Sequence, residues 1–214
     1  MKTLAFMSQK GGTGKTTLAV HLAVAATEGG QAVAIVDTDP QRSATTWGRR
    51  RQGQPPTVAT VPASELHRVV DAALHDGISL LIVDSAPHAT PEAPQVARLA
   101  DAVLIPCRPS MFDLAAVGSA VDIVLAAGVP AAVVLNGCPS RAPEVAAARQ
   151  ALAGCGLPVA PVEIADRRAF ARAVASGRAV TEFEAHGKAA EEIRDLWNWV
   201  EAELFNQPRA RART

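Results

Sequence analysis

Lys10-Gly11-Gly12-Thr13-Gly14-Lys15-Thr16-Thr17 is a segment suited to holding phosphate. Glycines let backbone N–H groups close around phosphate oxygens, and a helix starting at the loop's end adds positive potential. Lys15 suits the β- and γ-phosphates of a nucleoside triphosphate, the Thr16 hydroxyl suits Mg²⁺, and Thr17 suits an α-phosphate oxygen. The general phosphate-loop pattern G-x-x-x-x-G-K-[ST] asks for glycine where this chain has Gln9, and a second lysine, Lys10, follows it. Lysines at both ends of the loop point to a nucleotide site that one subunit does not complete alone.

Carboxylates stand where a metal–phosphate site needs them. The apolar run from Ile78 to Val83 ends in Asp84, and the carboxyl end of a buried parallel strand is where a partner of the Mg²⁺ shell belongs. A second strand ends Asp37-Thr38-Asp39-Pro40-Gln41. Alternate residues of an extended segment point the same way, so Asp37 and Asp39 are both expected to face the phosphates. Either carboxylate taken alone also fits a helix cap or a turn. The metal set read from the sequence is Thr16, Asp37 and Asp84.

The elements that must position these groups alternate between short apolar runs and longer helical stretches. Strands are predicted over Thr3–Met7, Ala32–Val36, Ile78–Val83, Ala102–Ile105 and Ala131–Leu135. Helices are predicted over Gly14–Glu28 (closed by Gly29-Gly30), Ser64–His75, Leu114–Ala127, Ala142–Ala153 and Lys188–Phe205. Continuously apolar strands are covered on both faces. The pattern therefore predicts an α/β fold of the P-loop NTPase type, a mostly parallel central sheet with helices on both faces. Residues 1–206 read as a single domain and residues 207–214 as a disordered Arg-rich tail.

The 214 residues are 49% hydrophobic with a formal net charge of zero, which excludes a disordered chain and gives no global pull towards nucleic acid. Cys107, Cys138 and Cys155 form no C-x-x-C pair and read as buried thiols. No apolar run reaches the length of a membrane span, and Met1-Lys2-Thr3-Leu4 enters a strand directly, so the expectation is a cytoplasmic protein.

Lys10 to Thr16 resembles the K-G-G-x-G-K-[ST] phosphate loop of the ParA/MinD family of ATPases. The segment Asp37 to Gln41, then Trp47, Val103-Leu104-Ile105-Pro106 and Pro109-Ser110-Met111-Phe112-Asp113 resemble the ParA branch. The resemblance covers nearly the whole chain and is nearest to small plasmid-partition ParA proteins without an N-terminal helix-turn-helix domain. It implies a weak Mg²⁺-dependent ATPase in which ATP drives a face-to-face homodimer. Lys10 of each subunit then reaches the other's nucleotide, as an arginine finger does. Asp39 positions the attacking water, Lys15 holds the phosphates, and Gly12 stays small for the approaching partner. Gly11, Thr13 and Gly14 complete the phosphate cradle. Asn136, after a strand, matches an adenine-reading position or simply forms the turn before Gly137. The segment Ser85-Ala86-Pro87-His88 departs from the Thr-Pro-Pro common in the family, with His88 expected on an exposed loop.

The resemblance further implies nonspecific duplex DNA binding by the ATP dimer, nucleoid association, and a ParB-type centromere-binding partner that stimulates hydrolysis. Arg168, Arg172, Arg178 and Lys188 are the expected phosphate contacts, with Arg167 nearby and Arg209, Arg211 and Arg213 in the tail. Arg49-Arg50-Arg51 reads as a solvated helix end. The alternative is a MinD-like or other cargo-positioning ATPase acting on a membrane or a protein assembly. The last helix carries an apolar stripe of Ile193, Leu196, Trp197, Val200 and Leu204. Its other face is acidic, so it is expected to pack on the body and not on anionic lipid. A ligase or an iron–sulfur reductase on the same fold is the remaining alternative.

Overall fold

A computed structural model of the chain describes residues 1–87 and 91–209. The strands are β1 (Lys2–Phe6), β2 (Val33–Asp37), β3 (Thr57–Thr60), β4 (Leu80–Asp84), β5 (Ala102–Cys107), β6 (Ala131–Cys138) and β7 (Ile164–Ala165). They form one sheet in the order β3-β2-β4-β1-β5-β6-β7. Each pairing is parallel, so the expected mostly parallel sheet is parallel throughout the described residues. The helices are α1 (Lys15–Glu28), α2 (Ser43–Arg50), α3 (Leu66–His75), α4 (Ala93–Leu99), α5 (Met111–Ala127), α6 (Pro143–Leu152), α7 (Arg168–Ala175), α8 (Val180–Phe183) and α9 (Lys188–Ala202).

The sheet is buried on both faces by strict alternation along its strands. Leu4, Phe6, Leu80, Ile82, Leu104 and Val134 share one core with α1 and α9. Ala5, Leu81, Val83, Val103, Ile105 and Val133 share the other with α4 and α5. Successive side chains on a strand point to opposite faces, which is why these runs are apolar at every position. Each fully buried Leu or Ile contributes about 1.5–3 kcal/mol of transfer free energy. Helix α1 is buried along almost its whole middle, from Leu18 to Ala26. It ends at Gly29, whose N–H donates to the Ala25 carbonyl at 3.1 Å, and Gly30 follows at φ 87°. Ile193, Leu196, Trp197 and Val200 of α9, with Leu204 beyond it, are buried in the core that contains α1. The apolar stripe is therefore taken up by the body, as its acidic outer face suggested.

Parallel register brings the functional strand ends abreast. Phe6 pairs with Asp84 and Asp84 with Asp37, so the β1 loop and both carboxylates leave the sheet at one edge. The elements absent from the sequence reading are the weakly patterned ones. Strand β3 is short and mostly exposed, β7 has two residues, and α4 spans seven residues with Pro at its start.

The structure corrects one surface reading. Arg51 is 4% exposed, not the end of a solvated helix. Its guanidinium meets Glu182 through Nη2–Oε1 at 2.8 Å and Nη1–Oε2 at 2.9 Å, donates to the Gly177 carbonyl at 3.0 Å, and stacks on Trp47. A buried arginine needs such a fork of partners. It ties α2, which follows the Asp37–Asp39 loop, to the turn carrying Arg178. Trp47 adds a hydrogen bond from Nε1 to the Arg178 carbonyl at 3.2 Å.

Candidate nucleotide site

The loop between β1 and α1 is closed by its own side chains before any ligand enters. Ser8 is the hub: its Oγ accepts from Thr13 Oγ1 and from Lys15 Nζ, both at 3.0 Å, and donates to the Lys10 carbonyl at 2.9 Å. Ser8 and Thr13 are buried, so the Thr13 hydroxyl is used inside the loop and not in the cleft. Gly12 and Gly14 sit at φ 77° and 102°, in the left-handed region that favours glycine. A Cβ at Gly12 would meet nothing within 4 Å, so within the subunit its constraint is conformational. At Gly14 a Cβ would also lie 2.0 Å from Nδ2 of Asn136. No side chain caps α1, whose first N–H groups are left for an anion.

Lys15 is 6% exposed. Burial lowers its pKa, and the carboxylates of Asp84 and Asp39 oppose that shift. Thr16 Oγ1 donates to Asp84 Oδ2 at 2.7 Å. Asp84 is fully buried, and its Oδ1 has no hydrogen-bond partner. Burial pushes its pKa up to about 7, against the Thr16 hydrogen bond, and nearby Asp37 raises it further. A carboxylate oxygen orphaned beside a threonine hydroxyl fits a divalent cation bound mainly through substrate phosphates and water. The described residues contain no cluster of three or more His, Cys, Asp or Glu that would bind a metal without phosphate.

Asp37 departs from its expected place in the metal set. Its Oδ1 accepts from the Asp39 N–H at 3.1 Å; its Oδ2 accepts from Thr45 N–H at 2.8 Å and Thr45 Oγ1 at 2.9 Å. The carboxylate thus anchors the first turn of α2. The alternation that placed Asp37 and Asp39 on one side ends with β2 at Asp37, and Pro40 turns the chain. Asp39 lines the cleft with Lys15, Thr16 and Thr17. Its Oδ1 accepts from the Gln41 N–H at 2.8 Å.

The second lysine lies apart from this cluster. Lys10 is half-exposed, and its Nζ is 3.1 Å from Oδ1 of the buried Asp113 at the start of α5. Ser110 caps α5 by accepting from the Asp113 N–H and donates its own hydroxyl to the Asp113 carboxylate. Asn136 is buried, and its Nδ2 donates to the Thr13 carbonyl at 2.6 Å, so the amide buttresses the phosphate loop from below.

The cleft over the loop has a volume of about 610 Å³. Its floor is the glycine loop and Asn136; its far wall is Asp166, Arg167, Phe170 and Val174 of the segment entering α7. Sequence reasoning missed that wall, and also Ser8, Asp113 and Arg108. Asp113 lay within the segment Pro109 to Asp113 that carried the family resemblance, but its pairing with Lys10 has no signal in spacing. Ser8 directly precedes the Gln9-Lys10 pair, where a hydroxyl at the strand's end was the available clue.

Of the expected DNA contacts, Arg168, Arg172, Arg178 and Lys188 are all exposed. Arg167 instead points back to Glu192, with Nη2 2.6 Å and Nε 3.0 Å from Oε1. Arg209 contacts the Ala100 carbonyl and lies 3.9 Å from Asp101. His88, Arg211 and Arg213 lie outside the described residues, as does most of the expected tail. Cys107 and Cys138 are buried, with thiol pKa values pushed up to about 12 chiefly by burial, so both are inert thiols.

A glycine cradle at the carboxyl edge of a parallel sheet, an uncapped helix behind it and an orphaned carboxylate beside a threonine hydroxyl define a P-loop nucleotide-binding protein. The chain belongs to the CobQ/CobB/MinD/ParA nucleotide binding domain family, whose sequence profile matches residues 4–180. Among its relatives, the maintenance of carboxysome distribution protein A of Gloeobacter kilaueensis is 32% identical over 95% of this chain and 94% of its own. The protein of the same name from Halothiobacillus neapolitanus is 30% identical over 92% of this chain and 95% of its own. In fold the chain is similar to an ATP complex of a variant of Cyanothece McdA, with a TM-score of 0.73, 19% identity, and coverage of 97% of this chain and 98% of that one.

Proposed function

We propose that the protein is an ATP-dependent dimerisation switch that distributes a protein assembly in the cell, in the manner of the carboxysome-distribution proteins, and that plasmid partition is not its task. The observation that carries this reading is the near-complete alignment with two such proteins at 32% and 30% identity. The site geometry is compatible with the switch. Lys15 and the free N–H groups of α1 hold the β- and γ-phosphates of ATP, and Thr16 with Asp84 holds Mg²⁺. Mg²⁺ held there would neutralise phosphate charge. Asp39, at the cleft's rim, orients the water that attacks the γ-phosphorus. The bond to the β,γ-bridging oxygen breaks, giving ADP and phosphate. Lys10 leaves Asp113 and meets the partner's γ-phosphate when two ATP-bound subunits face one another.

In this cycle the ATP dimer rests on nonspecific duplex DNA through Arg168, Arg172, Arg178 and Lys188, and hydrolysis, stimulated by a partner protein, releases it. A partition system would use a ParB-type partner; on this reading the partner instead belongs to the distributed assembly. No helix among the described residues is long and apolar enough to cross a membrane. The buried stripe of α9 is unavailable to a lipid surface.

Deleting the gene in its host tests the reading. Clumping of a protein assembly with unchanged plasmid retention is expected. Plasmid loss with evenly spaced assemblies would overturn it in favour of partition. For the DNA step, changing all four basic residues to Glu should abolish the ATP-dependent gel shift; an undiminished shift rejects these contacts.

A further inference from the structure

Three cationic side chains line the nucleotide cleft: Lys15, Arg167 and Arg108. Lys15 is already engaged with Ser8 and lies close enough to Asp84 and Asp39 to feel both charges. Arg167 is held by Glu192 through two of its nitrogens. Lys10, at the loop's other end, is paired with Asp113. Arg108 differs from all of these. It is exposed, and among the described residues it makes no salt bridge.

The position of Arg108 is fixed even though its charge is unpartnered. It directly follows β5, and its carbonyl accepts from the Ser110 N–H at 2.8 Å, which locks a tight turn ahead of α5. The side chain runs over Gly137, with Cγ and Nε both 3.7 Å from where a Cβ would stand there. Gly137 follows Asn136, which supports the phosphate loop, and Gly11, Gly12 and Gly14 line the same cleft. The guanidinium is thus carried on a rigid turn beside a site whose own carboxylates, Asp39 and Asp84, add negative charge to that of an incoming triphosphate. Lys15, even with Mg²⁺ held by Thr16 and Asp84, does not balance that charge.

We infer that Arg108 is a further nucleotide-binding residue, a guanidinium that closes over the triphosphate of its own subunit. Arginine suits the task because its planar fork pairs with two phosphate oxygens at once. The inference rests on the nucleotide-site reading above and extends it to a residue outside the glycine loop.

The test is nucleotide titration by calorimetry with wild type, Arg108→Gln and Arg108→Lys, at a protein concentration that keeps the chain monomeric. Losing a charge-assisted contact at a partly open site is expected to weaken ATP binding about tenfold in Arg108→Gln. ADP should weaken less and adenosine not at all. Arg108→Lys should recover part of the loss, and added salt should narrow the gap between wild type and Arg108→Gln. Equal ATP affinity in wild type and Arg108→Gln overturns the inference while leaving the nucleotide site standing. An equal loss for adenosine and ATP also overturns it, because that pattern belongs to stacking on the base. A wild type that binds no ATP overturns both the inference and the site.

Discussion

The two ends of the phosphate loop differ in construction. At the Lys15 end the amine is buried, bonded to Ser8, and followed by a helix sunk in the core. At the Lys10 end the amine is half-exposed and held by a single carboxylate on another element. A buried, hydrogen-bonded cation keeps one geometry; a partly solvated ion pair is worth little and is easily exchanged for another. On the proposed reading, one lysine stays with its own nucleotide and the other leaves. The contrast gives the second lysine a physical rationale that the motif alone does not supply.

The sharpest way to break that contrast is Lys10→Ala. ATP affinity should stay within about threefold, while hydrolysis and ATP-dependent dimerisation are lost. A trans-acting cation contributes on the order of 10³-fold to the rate. Single-turnover hydrolysis and sedimentation velocity with ATP read both quantities. A hydrolysis rate equal to wild type would show that Lys10 does not act on a partner's nucleotide. Lys15→Ala is the complement. ATP affinity itself should fall by roughly 10²-fold, since a buried charge-assisted contact to phosphate is removed.

The rigidity of the Lys15 end extends along α1 to His21. This imidazole is fully buried, accepts the Val180 N–H at Nδ1 (3.1 Å), and packs edge-on against Phe170. Burial pulls its pKa from 6.5 to about 3, with Glu182 opposing weakly. The folded state therefore refuses a proton that the unfolded state accepts once pH drops below 6.5. The stability His21 contributes is complete above that value and is lost progressively down to about pH 3. Between pH 7 and 5 the loss should be about 2 kcal/mol. His21→Gln, which keeps an acceptor for Val180, should flatten that segment of the profile. Urea midpoints at the two pH values check it, and parallel profiles would show that His21 is not responsible. The opposing effect of Asp84, whose raised pKa favours the folded state as pH falls, is common to both proteins and cancels in the comparison.

How much of this was legible follows the same division. The glycine loop and the position of Asp84 were readable because backbone geometry enforces residue type: φ 102° at Gly14 favours glycine, and a parallel strand's end is a fixed address. The alternating cores were legible because buried strands must be apolar at every position. Asp37 was misjudged because alternation was extended past the end of β2, where the chain stops being extended. Arg51 was misjudged because a run of three arginines looks solvated in sequence. Its partner Glu182 is 131 residues away, a distance that no local pattern spans. The cleft's far wall was missed for the same reason, since α7 reaches the nucleotide loop only through the tertiary fold. Lys10 was singled out by position, but the group it rests on was not, because Asp113 arrives from a different strand–helix unit.

That resting contact offers the smallest and most specific prediction. Asp113→Asn keeps the side chain's shape and its place beside the Ser110 cap, and removes the charge that holds Lys10. If Lys10 must leave Asp113 before it can serve a partner subunit, the ion pair opposes dimerisation by its own worth. For a half-exposed pair that is about 0.2–1 kcal/mol, and a symmetric dimer breaks two, so the ATP-dependent dimer of Asp113→Asn should be about two- to thirtyfold tighter than wild type. The gain should shrink as salt screens the wild-type pair. Nucleotide affinity of the monomer should not move, because Asp113 is not among the residues lining the main cleft. A weaker dimer would mean the opposite arrangement, in which Asp113 keeps Lys10 aimed during assembly and does not restrain it beforehand.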